Sequence, residues 1–171
     1  MSIRQPEGHP PPLDKPLLAV DIDGVISLFG FEERPQHTQV QLVDGVPHCI
    51  SLVCGDRLLR LSESFELVWA SGWEDKANFY LPQLLGLPEL PHISFDVAPR
   101  SGGEHWKLAA MADFAGERAI AWVDDNFDES CYEWAGRRAA PTLLVPTEPH
   151  LGLEEGHVDA LASWAASLSR S

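Results

Sequence analysis

Apolar residues along the chain fall into two patterns: short unbroken runs, and stripes that recur every three or four positions. PLLAVDI at 16–22, FELVWA at 65–70, HISFDV at 92–97, AIAWV at 119–123 and TLLV at 142–145 are runs of the first kind. Runs of this length predict strands buried on both faces, as in a parallel sheet. Stripes of the second kind predict helices. Ala77, Leu81, Leu84 and Leu85 share a face over 74–85, and Leu108, Met111, Ala112 and Ala115 share one over 104–115. Val158, Leu161, Ala165 and Leu168 do the same over 156–168, and a further helix is expected near 128–138. QVQLV at 39–43 and VPHCISLV at 46–53 flank Asp44 and Gly45, which predicts a β-hairpin. A short strand is expected to follow at 57–61, after Gly55 and Asp56.

Strands that alternate with helices predict an α/β fold. The expected architecture is a Rossmann-like three-layer α/β/α domain. Its sheet is five-stranded and mostly parallel, with a small β-hairpin insertion after the first strand, at about 36–62. A single domain over 16–171 accommodates these elements, behind a flexible Pro-rich tail at 1–15. The 171 residues are enough to bury one real core. No apolar run approaches the roughly 20 residues of a membrane span. The N-terminus also lacks the apolar core of a signal peptide, so the expectation is a cytoplasmic protein with no membrane partner. Twelve basic residues against 26 acidic ones leave a formal charge of −14. A field of that sign repels polyanions and disfavours a nucleic-acid partner, with Arg137 and Arg138 as the only compact basic cluster. Cys49, Cys54 and Cys131 follow no paired spacing and read as reduced thiols. His48 beside Cys49 lacks the second ligand pair that a zinc site needs.

Open parallel sheets bind ligands beyond the carboxyl ends of their strands. Asp21, Asp23, Ser71, Asp124 and Asp125 stand at such ends, distant in sequence but gathered at one rim by this architecture. Two carboxylates held as close as Asp21 and Asp23 repel unless a cation or a shared proton intervenes. Carboxylate and carbonyl oxygens around a hard ion are the usual surroundings of Mg²⁺, which keeps places for water and substrate phosphate oxygens. A phosphorylated substrate follows from that preference. Local structure offers competing roles. Ser71 and Glu74 fit a capping box, and Asp124, Asp125 and Asp128 suit a helix N-terminus. Trp69 and Trp122 read as core residues, while Trp73, just past Ser71, could border a pocket. Among the histidines, His105 stands near Lys107.

DIDGV at 21–25, directly after an apolar strand, resembles motif I of the haloacid dehalogenase-like hydrolases. VWASGW at 68–73 resembles their motif II, Lys107 their motif III lysine, and AWVDDNFDE at 121–129 their motif IV. The four motifs stand in the family's order across residues 16–146. The resemblance implies a Mg²⁺-dependent phosphatase that hydrolyses phosphate monoesters. Asp21 would be the nucleophile that forms an aspartyl-phosphate, and Asp23 the general acid and base. Ser71, Gly72 and Lys107 would bind the phosphoryl group. Asp21, the Asp23 carbonyl and Asp125 would hold the metal, with Asp124 as ligand or neighbour and Asp128 orienting a metal-bound water. Lys76, Arg100 and Lys107 are the only cations in the 74–117 interval from which a motif III lysine can come.

Enzymes of this kind carry substrate-selecting caps after motif I or between motifs II and III. Residues 24–64 hold a hairpin or three short strands, and 86–104 are also short, so an open site is expected. Openness suits a macromolecular or bulky substrate, or a partner that closes the site; the phosphorylated substrate is expected to be a small molecule or the end of a macromolecule. WASGWEDKAN at 69–78 is similar to compact members that act on nucleic-acid ends or accompany RNA-repair enzymes. A phosphate- or partner-binding module without turnover is the remaining reading.

Overall fold

Four of the apolar runs lie side by side at the centre of the molecule, in a computed structural model that describes residues 15–96 and 103–170. The chain opens with β1 (Leu17–Val20), β2 (Ser27–Leu28), β3 (Thr38–Val43) and β4 (Val46–Ser51). Then come α1 (Val53–Leu61), β5 (Glu66–Trp69), a 3₁₀ turn at Glu74–Lys76 and α2 (Ala77–Leu85). It continues with α3 (Leu108–Ala115), β6 (Ile120–Asp124), α4 (Glu129–Arg137), β7 (Thr142–Pro146) and α5 (Glu155–Leu168). The protein is thus α/β. The Pro-rich tail expected at 1–15 lies, but for Lys15, outside the described residues.

β5, β1, β6 and β7 form a parallel sheet in that order, with β1 paired along its whole length to β5 and β6. Alternate side chains enter separate cores on the two faces. Leu18, Val20, Trp69 and Val123 pack with residues of α1, α2 and α5 on one side. Leu17, Ala19, Val68 and Trp122 pack with α3 and α4 on the other. Both faces are covered, which explains why these strands read as unbroken apolar runs.

The parallel sheet has four strands, not five. The segment expected as a strand at 92–97 makes one isolated bridge, His92 to Trp69, with the Ile93 N–H donating to the Trp69 carbonyl at 2.9 Å. The Phe95 N–H then turns to the Glu74 carboxylate at 3.1 Å, which draws the chain off the sheet edge. Val97 lies outside the described residues.

The insertion also differs from a hairpin. β3 and β4 pair through the expected turn, but Ser27–Leu28 joins them to give an antiparallel sheet of order β2-β4-β3. The strand expected at 57–61 is the second half of α1. Cys54, Leu58 and Leu61 are its buried residues, a helical spacing that the Gly55–Asp56 pair obscured. Gly55 is required by packing. A Cβ there would stand 2.1 Å from the Leu85 carbonyl oxygen, so α1 and α2 touch backbone to backbone. Arg57 and Arg60 both bond Glu155, tying α1 to α5.

The cysteines are free thiols, Cys54 and Cys131 buried and Cys49 partly so. Among the described residues, no helix is long and apolar enough to cross a membrane. Gly55→Ala is expected to lower the unfolding free energy by about 1–3 kcal/mol, the usual cost of overpacking. Urea unfolding of the two proteins measures it, and an unchanged midpoint would mean that the helices can separate freely.

Candidate active site

Strand register assembles the site. Val20 of β1 is level with Trp69 of β5 and Val123 of β6. The next residues along these strands, Asp21, Ala70 and Asp124, therefore leave the sheet at one height. Main-chain bonds fix them there: the Asp21 N–H donates to the Val123 carbonyl at 3.0 Å, and the Ala70 N–H to the Val20 carbonyl at 2.8 Å. The chain then turns at Gly24, whose φ of +81° is the left-handed region that favours glycine. A Cβ at Gly24 would fall 2.3 Å from the Asp125 carboxyl. The glycine after Asp23 is thus what admits the Asp125 side chain to the rim.

Lys107 closes the arrangement from the third side. It immediately precedes α3, and it is 97% buried, with 3% of its surface exposed. Its Nζ lies 2.8 Å from the Ala70 carbonyl, 2.6 Å from Asp124 Oδ2 and 3.0 Å from Asp21 Oδ1. An ammonium has three protons, and each has an acceptor. Burial disfavours the charge, but Asp21 and Asp124 outweigh it and raise the Lys107 pKa above the ordinary lysine value. The segment before it is locked to the loop after β6. The Lys107 N–H donates to His105 Nδ1 at 3.2 Å, which puts the ring proton on Nε2, 2.9 Å from the Asn126 carbonyl.

One lysine serves two buried carboxylates, and it serves them unequally. Asp124 is fully engaged: Oδ2 also accepts from Trp122 Nε1 at 3.1 Å, and Oδ1 accepts from the Asn126 N–H at 3.1 Å. Asp21 shares the lysine and has a main-chain hydrogen bond at Ile22. Desolvation, opposed by Lys107 and reinforced by the Asp124 charge, pushes its pKa up to about 8. The 3.0 Å contact alone would argue for a depressed value, but the loss of hydration on burial outweighs it. Asp125, half-buried, is raised by desolvation and then by Asp124. Three carboxylates against one ammonium leave excess negative charge at one point.

That excess suits a cation. Asp21, Asp124 and Asp125 each present an oxygen within 4.8 Å of the other two. Ligand oxygens around an octahedral ion with bonds of about 2.1 Å stand roughly 3–4 Å apart, so a small contraction closes the set. Asp128 does not join it. Its carboxylate accepts from the Cys131 N–H as the N-cap of α4 and from Ser130 Oγ, which hold its pKa below the ordinary value. Asp23 also turns aside, accepting from Trp73 Nε1 at 3.1 Å, with His48 Nδ1 3.5 Å from its other oxygen.

Ser71 is buried at the rim, where its Oγ accepts the Trp73 N–H at 3.2 Å. The capping box expected with Glu74 does not form, because that carboxylate is bound to Phe95. Asp21, Asp23, Ser71, Gly72, Lys107, Asp124 and Asp125 all line one cleft of about 230 Å³, with His105, Trp106 and Asn126. Larger hollows of about 400 and 520 Å³ lie beside α4 and below the strands' N-terminal ends, away from the carboxylates. Trp106 is half exposed at the mouth, its ring edge-on to Phe95 and 5.2 Å from Lys107 Nζ. Trp69 and Trp122 are fully buried, as expected of core residues. Sequence reasoning missed His48. No local pattern marks it, because its place comes from the pairing of β4 with β2.

The Asp21 shift has a consequence for stability. Between 3.8 and about 8 the folded chain holds a proton on Asp21 that the unfolded chain has lost. In chelator, stability is therefore expected to decline as pH rises through that window and to level off above it. Asp21→Asn should flatten the slope; denaturant midpoints at several pH values measure it, and an unaltered slope in that variant would assign the titration elsewhere.

No protein-family model matches this chain, and no curated protein matches it.

Proposed function

We propose that the protein is a magnesium-dependent phosphomonoesterase of the haloacid dehalogenase-like kind, acting through an aspartyl-phosphate on Asp21. The observation that carries this reading is the convergence of buried Asp21, buried Lys107 and the Asp124–Asp125 pair at the ends of β1 and β6. Rossmann-like topology is the finer fold reading that goes with it.

The residues divide the work by their chemistry. A phosphate monoester dianion repels a carboxylate, and Lys107, fixed by Ala70 and Asp124, reduces that repulsion. An Asp21 oxygen attacks phosphorus while the ester P–O bond breaks, and Asp23 gives its proton to the departing oxygen to release the alcohol. Asp23, now a carboxylate, takes a proton from water. The water oxygen bonds to phosphorus, inorganic phosphate departs and the Asp21 carboxylate is restored. Ser71 Oγ accepts from Trp73, which leaves its own hydrogen to donate to a phosphoryl oxygen beside the Gly72 main chain. Asp21, Asp125 and the Asp23 carbonyl would hold Mg²⁺, with Asp124 turned toward Lys107. When bound, the ion supplies positive charge that neutralises and orients the phosphoryl group. Lys107 is the only lysine or arginine among the described residues of the cleft, which favours a small ester over a nucleic-acid end.

Hydrolysis of an aryl phosphate is expected to require Mg²⁺ and to fall to background in folded Asp21→Asn. Retained turnover in that variant would assign the nucleophile elsewhere, and no turnover by wild type on a panel of esters would favour a binding module. In calorimetry, Asp125→Asn should weaken Mg²⁺ binding by ~10-fold or more, the scale on which ligand-shell changes act. Unaltered affinity would remove Asp125 from the metal set.

A further inference from the structure

We infer that the small sheet inserted after β1 buttresses the acid–base carboxylate, with Trp73 and His48 as the positioning residues of Asp23. The inference rests on the phosphatase reading. Asp23 lies in the loop after β1, and its side chain is 50% exposed. An unrestrained carboxylate at such a place exchanges among staggered rotamers. A general acid must instead hold its proton within hydrogen-bond reach of the leaving oxygen.

Two side chains from different elements restrain it. Trp73 Nε1 donates to Asp23 Oδ2 at 3.1 Å, and His48 Nδ1 stands 3.5 Å from Oδ1. An indole N–H only donates, so it holds Oδ2 as an acceptor and fixes the orientation of the carboxylate. The restraints are themselves fixed. Trp73 is buried, and His48 meets its ring edge-on at 4.7 Å. His48 Nδ1 is 3.0 Å from Oγ of Ser27, a buried residue of β2 bridged to Asp23 itself. At the far end of the hairpin, Asp44 forms an ion pair with Lys76, just past Trp73. The turn and the middle of β4 therefore both grip the segment that follows Ser71, and the carboxylate is held at the His48–Trp73 contact.

A positioning role for the acid has a signature that general loosening of the fold lacks. For an aspartyl-phosphate enzyme, kcat/KM reports the steps through phosphoryl transfer to Asp21. Alkyl phosphates need the leaving oxygen protonated in that transfer, whereas nitrophenolate departs without help. Trp73→Phe keeps the ring and removes the donor. It is expected to lower kcat/KM on glycerol phosphate by ~10-fold or more, part of the 10²–10⁴ that general acid catalysis supplies. The loss on nitrophenyl phosphate should be several times smaller. His48→Ala, at a part-exposed position, should give a smaller split in the same direction and keeps the test open if Trp73→Phe misfolds. Asp23→Asn sets the full size of the split. Equal losses on both substrates in folded Trp73→Phe and His48→Ala would overturn the positioning role alone. Wild type inactive on both would overturn the phosphatase reading and this role with it.

Discussion

The Lys107 ammonium is the interaction on which the rest of the site depends. A buried cation is costly unless each of its protons meets an acceptor and its charge is balanced nearby. Here the acceptors come from three strand ends: Ala70 after β5, Asp21 after β1 and Asp124 of β6. Those strands adjoin in the order β5-β1-β6, so the lysine is satisfied only where all three are paired. The route by which Lys107 arrives is held as firmly: His105 bonds both the Lys107 N–H and the Asn126 carbonyl, so the turn before α3 cannot shift without breaking from the loop after β6.

The same lysine makes the site electrostatically unfinished. Asp124 takes its shortest bond, with two further donors, and is thereby fixed as a brace. Asp21 is left under-neutralised and Asp125 faces the rim. A purely structural ion pair would balance one charge with one charge. Three carboxylates around one lysine need either a proton or a cation, and Gly24 keeps the space that brings Asp125 into the group. Glycine at that point is therefore a requirement of the neighbouring strand's side chain as well as of its own turn.

How far the sequence reveals this depends on the range of the interaction concerned. β1, β5, β6 and β7 are legible because their apolar runs reflect burial on both faces. Asp21, Ser71 and Asp124 are legible because residues that end parallel strands must meet. Signals fail where a distant partner decides the outcome. Residues 92–97 have the composition of a strand, but the Glu74 carboxylate takes the Phe95 N–H. Gly55 and Asp56 look like a turn, yet Gly55 is there because Leu85 packs on it. Ser71 and Glu74 have the spacing of a capping box, broken by that same bond to Phe95. Lys107 stands out in the sequence only among three cations between 74 and 117. His48 has no local signal at all, since its place beside Asp23 comes from β4 folding back onto β2.

These distinctions bear on what the insertion can do. A lid selects substrates by closing over them, which needs a mobile element with few anchors. This sheet is anchored at its turn by Asp44 with Lys76 and in mid-strand by His48 with Trp73, and it runs directly into α1, which packs backbone to backbone on α2. A part so tightly fixed suits holding a carboxylate better than opening and closing. On the proposed phosphatase reading, discrimination among esters would then fall to the groups at the mouth of the cleft. Trp106, half exposed and propped on Phe95, offers the one large apolar surface there among the described lining residues. On that reading, rigidity would divide the labour: the inserted sheet would hold the acid–base carboxylate, while the turn before α3 would meet the part of the substrate that is not phosphate.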